Sequence, residues 1–295
     1  MGYKGYKLAA ASEGSSLNQK RFLILSSRLL MNMNYYIHVL RGIEEALTDY
    51  NIELIQFSIP NSSGFSRLKN YLGDNKVDGI ICIEFFEEEY IHELVYFDIP
   101  LVFLDFPFIQ QPVRGHYDIV LPENREAIRN YCTQLIQNES CKTFGFVGDY
   151  QHCRSFYERY AGMIEAQILS GLDINQQFSI LHDDAMSYSS EVLLEMIQSM
   201  PVLPDCFFAA NDSIALNLLT ALKMNKTNVP KNIKVVGFDN IPDGKNSSPP
   251  LTTFNVNKVA LGKQITEILL DRIANPTHAN CTIYIASKLI IRSTT

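Results

Sequence analysis

The chain has no tryptophan, and only 19% of its 295 residues are charged. It has no C-x-x-C pair and no histidine at zinc-finger distance from a cysteine, which excludes the common structural zinc modules. Its six cysteines are scattered, with Cys82 and Cys206 inside apolar runs, so they read as free structural thiols of a reducing compartment. No stretch approaches the roughly 20 apolar residues of a membrane span. Residues 1–20 lack the continuous apolar segment of a secretion signal, so a cytoplasmic protein that does not enter the membrane is expected. An excess of basic residues is also missing. The net charge of −7 argues against a broad grip on phosphate backbones by these residues, while leaving room for a small ligand.

Motifs of covalent chemistry are absent as well. There is no G-x-x-x-x-G-K-[ST] loop, no G-x-G-x-x-G after a strand, no G-x-S-x-G elbow and no H-E-x-x-H. "HDD" at 182–184 reads as a solvated loop rather than a metal cluster, because three adjacent loop residues do not easily face one ion. "EFFEEEY" at 84–90 reads as the acidic start of an exposed helix. No catalytic residue, metal or cofactor is therefore expected, and the chain does not read as an enzyme.

What is present is alternation. "RFLILSS", "IELIQFSI", "VDGIICIE" and "IPLVFLD" are apolar runs of strand length, separated by segments with helical spacing such as Val39, Ile43 and Leu47. A second set follows, with "TFGFVG", "FSILHD", "DCFFAAN" and "IKVVGFD" as its strands. Two successive βαβα sets predict an α/β protein with two doubly wound parallel-sheet lobes. In such lobes ligands bind beyond the carboxyl ends of the strands.

The strand ends are polar. Asn211-Asp212 ends one strand, Asp239 and Asp105 end two others, Ser26 and Ser27 close "FLILSS", and Asp149 follows "FGFVG". With a helical pattern starting at Ser213, Asp212 is expected to cap the helix, leaving Asn211 as the ligand candidate. Carboxylates that accept and amides that both donate and accept suit a hydroxyl-rich ligand.

Five stretches in order carry a resemblance. They are "VDGIICIE" with "IPLVFLD", then "SFYERYAG" fitting S-x-x-x-R-x-x-G, "FFAANDSIALNLLTALKMNKTNVPKNIKVVGFDN", "PPLTTFNVNKVALG" and the terminal "KLIIRSTT". Together they resemble the lactose-repressor (LacI/GalR) family of transcription regulators over about residues 20–295. The resemblance implies a periplasmic-binding-protein-like fold of two lobes joined by crossover strands, with an effector cleft between them. It implies an N-lobe at 21–115 plus 254–281 and a C-lobe at 116–253 plus 282–295. It also implies a homodimer, a sugar-like small-molecule effector and operator DNA as partners, and allosteric control of DNA binding. By motif, Arg159 stands at the family's effector-binding arginine with Ser155 before it, Asn211 and Asp239 at its ligand-contacting asparagine and aspartate, and Asp105 more weakly so. Tyr35 and Tyr36 fall where relatives have two phenylalanines. They can stack on a sugar ring or simply pack their helix.

Departures from the family pattern are informative. "MGYKGYKLAAAS" resembles only the last residues and hinge of a helix-turn-helix headpiece, so residues 1–20 are expected to be a hinge remnant or linker, with DNA contact made by a headpiece outside this sequence. "LPEN" stands where relatives begin "DNxxG", and "NESCK" where a glycine ends the helix. Lys258 near a cleft can favour an anionic effector or can be a solvated helix start. The same fold also serves sugar-binding proteins of transporters, which need a secretion signal or lipid anchor.

Overall fold

The computed structural model describes residues 19–27, 30, 34–109, 113–181 and 188–295. Its contacts divide the chain into two compact units, Met1–Leu121 with Asn257–Ile285, and Pro122–Val256 with Ala286–Thr295. The chain passes from one unit to the other three times, at 121/122, 256/257 and 285/286.

The first unit is a six-stranded sheet. β1 (Lys20–Ser26) lies between β2 (Ile52–Ser58) and β3 (Gly79–Ile83), followed by β4 (Leu101–Leu104), β5 (Asp118–Pro122) and β10 (Thr282–Ile285) at the edge. The β2-β1-β3-β4-β5 ladders are all parallel. Both faces of these strands are covered, which is why they read as unbroken apolar runs rather than alternating ones. On one face Leu23, Leu25, Ile80, Cys82, Leu101 and Phe103 pack with Phe65, Leu68 and Leu72 of α2 (Ser62–Asp74) and Ile91 and Leu94 of α3 (Glu88–Leu94). The other face meets α9 (Lys258–Ala274), which packs closely on α1 (Asn34–Leu47) where Gly42 and Gly262 let the two backbones approach. The acidic run opens α3, with Glu88 and Glu89 in its first turn.

The first unit continues past residue 115, because β5 completes the sheet beside β4 rather than opening a new one. Its anchor is a buried ion pair. Asp118 and Arg272 are each 2% exposed, with Nε donating to Oδ2 at 2.8 Å and Nη2 to Oδ1 at 2.5 Å. Cys281 N–H also donates to Oδ1, and Arg272 Nη1 donates to the His278 carbonyl, so strand, helix and the approach to β10 meet at one carboxylate. Burial alone would raise the Asp118 carboxyl, but the bonds from Arg272 and Cys281 outweigh it and hold it below the ordinary carboxylate value.

The second unit is built on a parallel three-stranded sheet, β6 (Phe144–Val147), β7 (Cys206–Ala209) and β8 (Lys234–Val236), in the order β6-β7-β8. Helix α4 (Arg125–Glu139) packs on α5 (Arg154–Leu169), and α6 (Ser190–Ser199) on α7 (Asp212–Met224). A short α8 (Pro242–Asn246) leads to β9 (Thr253–Val256), which pairs antiparallel with β11 (Ser287–Ile290). Of the run "FSILHD", residues 178–181 are described, and they form no named strand. Residues Gln176–Phe178 are a 3-10 turn, and Ile180 bridges β6 at Val147. Where a glycine was missing after α4, Ser140 takes the left-handed position at φ 58° and closes the helix through Leu135 O.

Cys82, Cys132 and Cys206 are buried free thiols, and burial pushes each above the ordinary thiol range, so they are poor nucleophiles. Among the described residues no helix is long and apolar enough to cross a membrane. His182, Asp183 and Asp184 lie outside the described residues.

Breaking the Asp118–Arg272 pair strands a buried charge. Asp118→Ala is expected to cost about 3–5 kcal/mol in chemical denaturation at pH 7. Because the folded carboxyl lies below its unfolded value, its contribution is present above about pH 4 and is lost as pH falls through the depressed folded value. Asp118→Asn should therefore flatten the loss of stability measured between pH 5 and pH 3, at about those values of the ordinary carboxylate titration.

Candidate functional site

At the carboxyl ends of β6, β7 and β8 the second unit gathers polar groups around one buried arginine. Arg159 comes from the second turn of α5 and is 3% exposed. Its Nε donates to Asn124 Oδ1 at 2.9 Å and its Nη1 to the Ala210 carbonyl at 2.5 Å. Its guanidinium lies over the Phe238 ring, 3.7 Å from the centroid, with Phe156 5.5 Å away on the same helix. Nη2 stands 3.8 Å from Asp239 Oδ1. A guanidinium has five donors, so the two anchoring bonds fix its plane while Nη2 and Asp239 form a donor–acceptor edge. Arg159 is thus neither a surface residue nor a partner of Glu158 or Asp149. Glu158 pairs with Arg154 at 3.0 Å, and Asp149 accepts from Gln151 N–H.

The motif spacing explains itself here. Ser155, one helical turn before Arg159, is buried and accepts from Asn124 Nδ2 at 3.2 Å, so both meet Asn124 from the same helix face. Gly162 lies a turn later, where a Cβ would run into the Arg125 carbonyl at the start of α4. Asn124 is fully buried and also donates to Pro122 O and Glu158 Oε2. It was not among the expected site residues. Its signal was the "LPEN" departure, where Glu123 does the helix capping by accepting from Glu126 and Ala127 N–H, and leaves Asn124 for Arg159.

The A-N-D stop differs from expectation, in that Asn211 rather than Asp212 caps the helix. Asn211 is the N-cap of α7, accepting from Ile214 N–H at 2.9 Å, so its Oδ1 is engaged by the helix and its amide nitrogen remains to donate to a ligand. Asp212 is the first helical residue and is 0% exposed. Its Oδ1 accepts from Thr253 Oγ1 at 2.6 Å and its Oδ2 from Ile241 N–H at 2.9 Å. Gly237 makes room for it, since a Cβ there would collide with Asp212 Oδ1. Asp239 follows with φ 110°, a region that strains any residue bearing a Cβ.

In the first unit the strand ends form their own set. Ser27 donates from Oγ to the Glu84 carbonyl at 2.6 Å, and Tyr36 OH donates to Glu84 Oε1 at 2.8 Å. Glu84, at φ 49° directly after β3, therefore joins β1, β3 and α1; it too was missed from the sequence, being hidden in the acidic run. Tyr35 and Tyr36 are half-buried and set edge to face, 4.9 Å apart, with Lys258 Nζ 5.1 Å from the Tyr35 ring centroid. Asp105, at φ 65° after β4, accepts from Phe106 N–H at 2.7 Å.

A parallel sheet beside whose strand ends a helix sets a fixed guanidinium facing a carboxylate, with aromatic rings next to it, has the arrangement of a ligand-binding module. The periplasmic binding protein-like domain matches residues 133–295, more than half of the chain. The chain belongs to that family, as the effector-binding core of LacI/GalR-type regulators. The transcriptional repressor PurR of Vibrio parahaemolyticus is 28% identical over 268 residues, 88% of this chain and 77% of that protein. The regulator GalR of Streptococcus thermophilus is 24% identical across 100% of this chain and 86% of its own. Among solved structures, a complex of the transcriptional regulator CelR with cellobiose has the same fold, with a TM-score of 0.83 at 21% identity over 94% of this chain and 86% of that one. A putative LacI regulator from Bacillus cereus subsp. cytotoxis gives 0.81 at 23% identity, over 94% and 99%.

The geometry predicts that Arg159→Ala loses stability as well as ligand contacts, because Asn124 Oδ1 and Ala210 O are left without their donor. Each stranded buried acceptor costs about 1–3 kcal/mol, readable in a denaturant midpoint. At position 239, Gly and Ala both remove the carboxylate, but only Ala keeps the strained backbone. Asp239→Gly should melt a few degrees above Asp239→Ala, for about 1–3 kcal/mol of strain.

Proposed function

We propose that the Arg159–Asp239 edge recognises a small hydroxyl-bearing effector, a sugar or sugar derivative, and that its occupancy changes the affinity of a dimeric regulator for operator DNA. The observation that carries this reading is the guanidinium fixed by Asn124 and Ala210 with one edge toward Asp239. A donor pair beside an acceptor pair brackets adjacent hydroxyls, which both donate and accept. Asn211 adds an amide, Phe156 an apolar ring, and Ser155 backs the site through Asn124. Within the first unit, Tyr35, Tyr36, Ser27 and Asp105 are proposed as ligand-contacting residues in their own right, with the tyrosine pair as an apolar surface for a sugar ring.

The relatives support regulation rather than turnover, since they are named as transcriptional repressors and regulators, and the CelR structure holds cellobiose. We read the chain as a cytoplasmic sensor and not an enzyme, with DNA contacted through a helix-turn-helix headpiece and a second copy of the chain supplying the other half-site. The effector shifts DNA binding only by its differential affinity for two states of the regulator.

A thermal-shift panel of glucose, galactose, cellobiose, glucose 6-phosphate and hypoxanthine tests this reading. A ligand at about 100 times its dissociation constant adds roughly 2.7 kcal/mol. At least one sugar is expected to raise Tm, with the gain abolished in Asp239→Asn and reduced at least tenfold in affinity in Arg159→Lys. A sugar-induced shift unchanged in both variants would move the site elsewhere, and a response to hypoxanthine alone would replace the sugar class with a heterocycle.

A further inference from the structure

The C-terminal segment carries a side chain that touches the strained turn at Asp239 from behind. Arg292 stands two residues after β11 and is partly buried. Its backbone N–H donates to Thr252 Oγ1 at 2.9 Å, its Nη1 to the Leu251 carbonyl at 2.6 Å and its Nη2 to Asn240 Oδ1 at 2.6 Å. Asn240 also has positive φ, 51°, next to Asp239 at 110°. Two successive residues with a Cβ in this region persist only where their surroundings over-determine them. Here the bonds are explicit. Asp239 N–H donates to Phe254 O at 2.9 Å, Asn240 N–H to Thr253 Oγ1 at 3.3 Å, Asn240 Nδ2 to Asn255 Oδ1 at 3.0 Å, and Ile241 N–H to Asp212.

Most of these partners belong to β9. Arg292 is different in kind, because its guanidinium spans two acceptors at once, the Leu251 backbone and the Asn240 side chain. That needs a planar fork of donors with fixed separation, which lysine lacks. The Asn240 amide is gripped at both ends, its oxygen by Arg292 and its nitrogen by Asn255.

We propose that Arg292 is a positioning residue of the effector site: by gripping Asn240 it holds the Asp239–Asn240 turn in its positive-φ conformation and so sets the Asp239 carboxylate against Arg159. This rests on the reading of Arg159 and Asp239 as the effector-binding edge. It also ties that edge to two strands that adjoin unit crossings, since β9 ends at 256/257 and β11 begins just after 285/286.

Amide hydrogen exchange followed by NMR, without any effector, tests the proposal. In Arg292→Met, exchange at the amides of Asp239, Asn240 and Ile241 should accelerate tenfold or more, while Ile128 in α4 keeps its rate. Arg292→Lys should accelerate the same three amides, since one ammonium does not span both acceptors. Adding Asn240→Gly to Arg292→Met should return the Asp239 amide to within threefold of wild type, because glycine holds positive φ without a clamp. Unchanged exchange in Arg292→Met would overturn the proposal. So would faster exchange throughout the second unit that Asn240→Gly does not reduce, which would make Arg292 a general structural support. If the methionine variant does not fold, the lysine variant with and without Asn240→Gly decides in the same terms. Because no effector is used, failure here leaves the effector reading standing with β9 as the sole holder of the turn, and a failed sugar screen leaves the clamp intact.

Discussion

The second unit depends on the placement of one buried carboxylate. Asp212 is inaccessible to solvent, yet it receives Thr253 Oγ1 and Ile241 N–H, and its own N–H donates to Phe238 O. Three chain segments, after β7, after β8 and at the start of β9, are therefore fixed to a single side chain at the amino end of α7. That end of a helix favours negative charge, and a buried acceptor needs its hydrogen bonds to be worth burying. The positions of two proposed site residues follow from this. Asn211, one residue before, must turn outward to cap α7, and Asp239, two residues before Ile241, is forced into a tight turn.

Much of this was legible in the sequence, and the rest was not for definable reasons. Apolar runs of strand length closed by polar residues marked, to within two residues, where β1, β3, β4 and β7 stop, because strands buried on both faces are mostly apolar until they leave the sheet, whereas β8 ends at Val236, three residues before Asp239. The spacing of Ser155, Arg159 and Gly162 identified one helix face. Which of Asn211 and Asp212 caps α7 was beyond local pattern, since a one-residue shift in helix start exchanges their roles and the shift is decided by Thr253, 41 positions away. Asn124 escaped notice because an asparagine at a helix start normally caps, and here Glu123 has taken over that task. Glu84 was masked by the acids that follow it. The extent of the first unit was misjudged for another reason. β5 is five residues long and lies between β4 and the late strand β10, and the Asp118–Arg272 pair that secures it spans 154 positions.

The strand ends share a backbone feature that bears on how the site works. Glu84, Asp105, Asp239 and Asn240 all have positive φ, at 49°, 65°, 110° and 51°. Glycine would adopt these conformations without strain, so a polar side chain at each position comes at some cost in stability. Such a cost is commonly met at functional sites, where the surrounding structure holds the strained residue in place. For Asp239 the holders are visible, namely Phe254 O on its amide and the Arg292–Asn240–Asn255 chain beside it.

This strain gives the effector edge a particular energetic character. A carboxylate that must be held in place is already in its binding position before the ligand arrives, so less conformational entropy is lost on association. The same holders are attached to β9 and β11. A change in the path of either strand would alter the geometry of the Asp239 turn, and α4 would feel it too, since α4 meets β11 and its Tyr131 donates to Thr295 Oγ1 and packs against Phe254 of β9. Arg159 is anchored differently, from α5 through Asn124 and the end of β7. On the proposed reading, the Arg159–Asp239 edge pairs a donor fixed by Asn124 and Ala210 with an acceptor held through β9 and Arg292. Reciprocity then follows from linkage: a ligand that prefers one spacing of donor and acceptor must favour the strand arrangement that produces it, by as much as that arrangement favours the ligand.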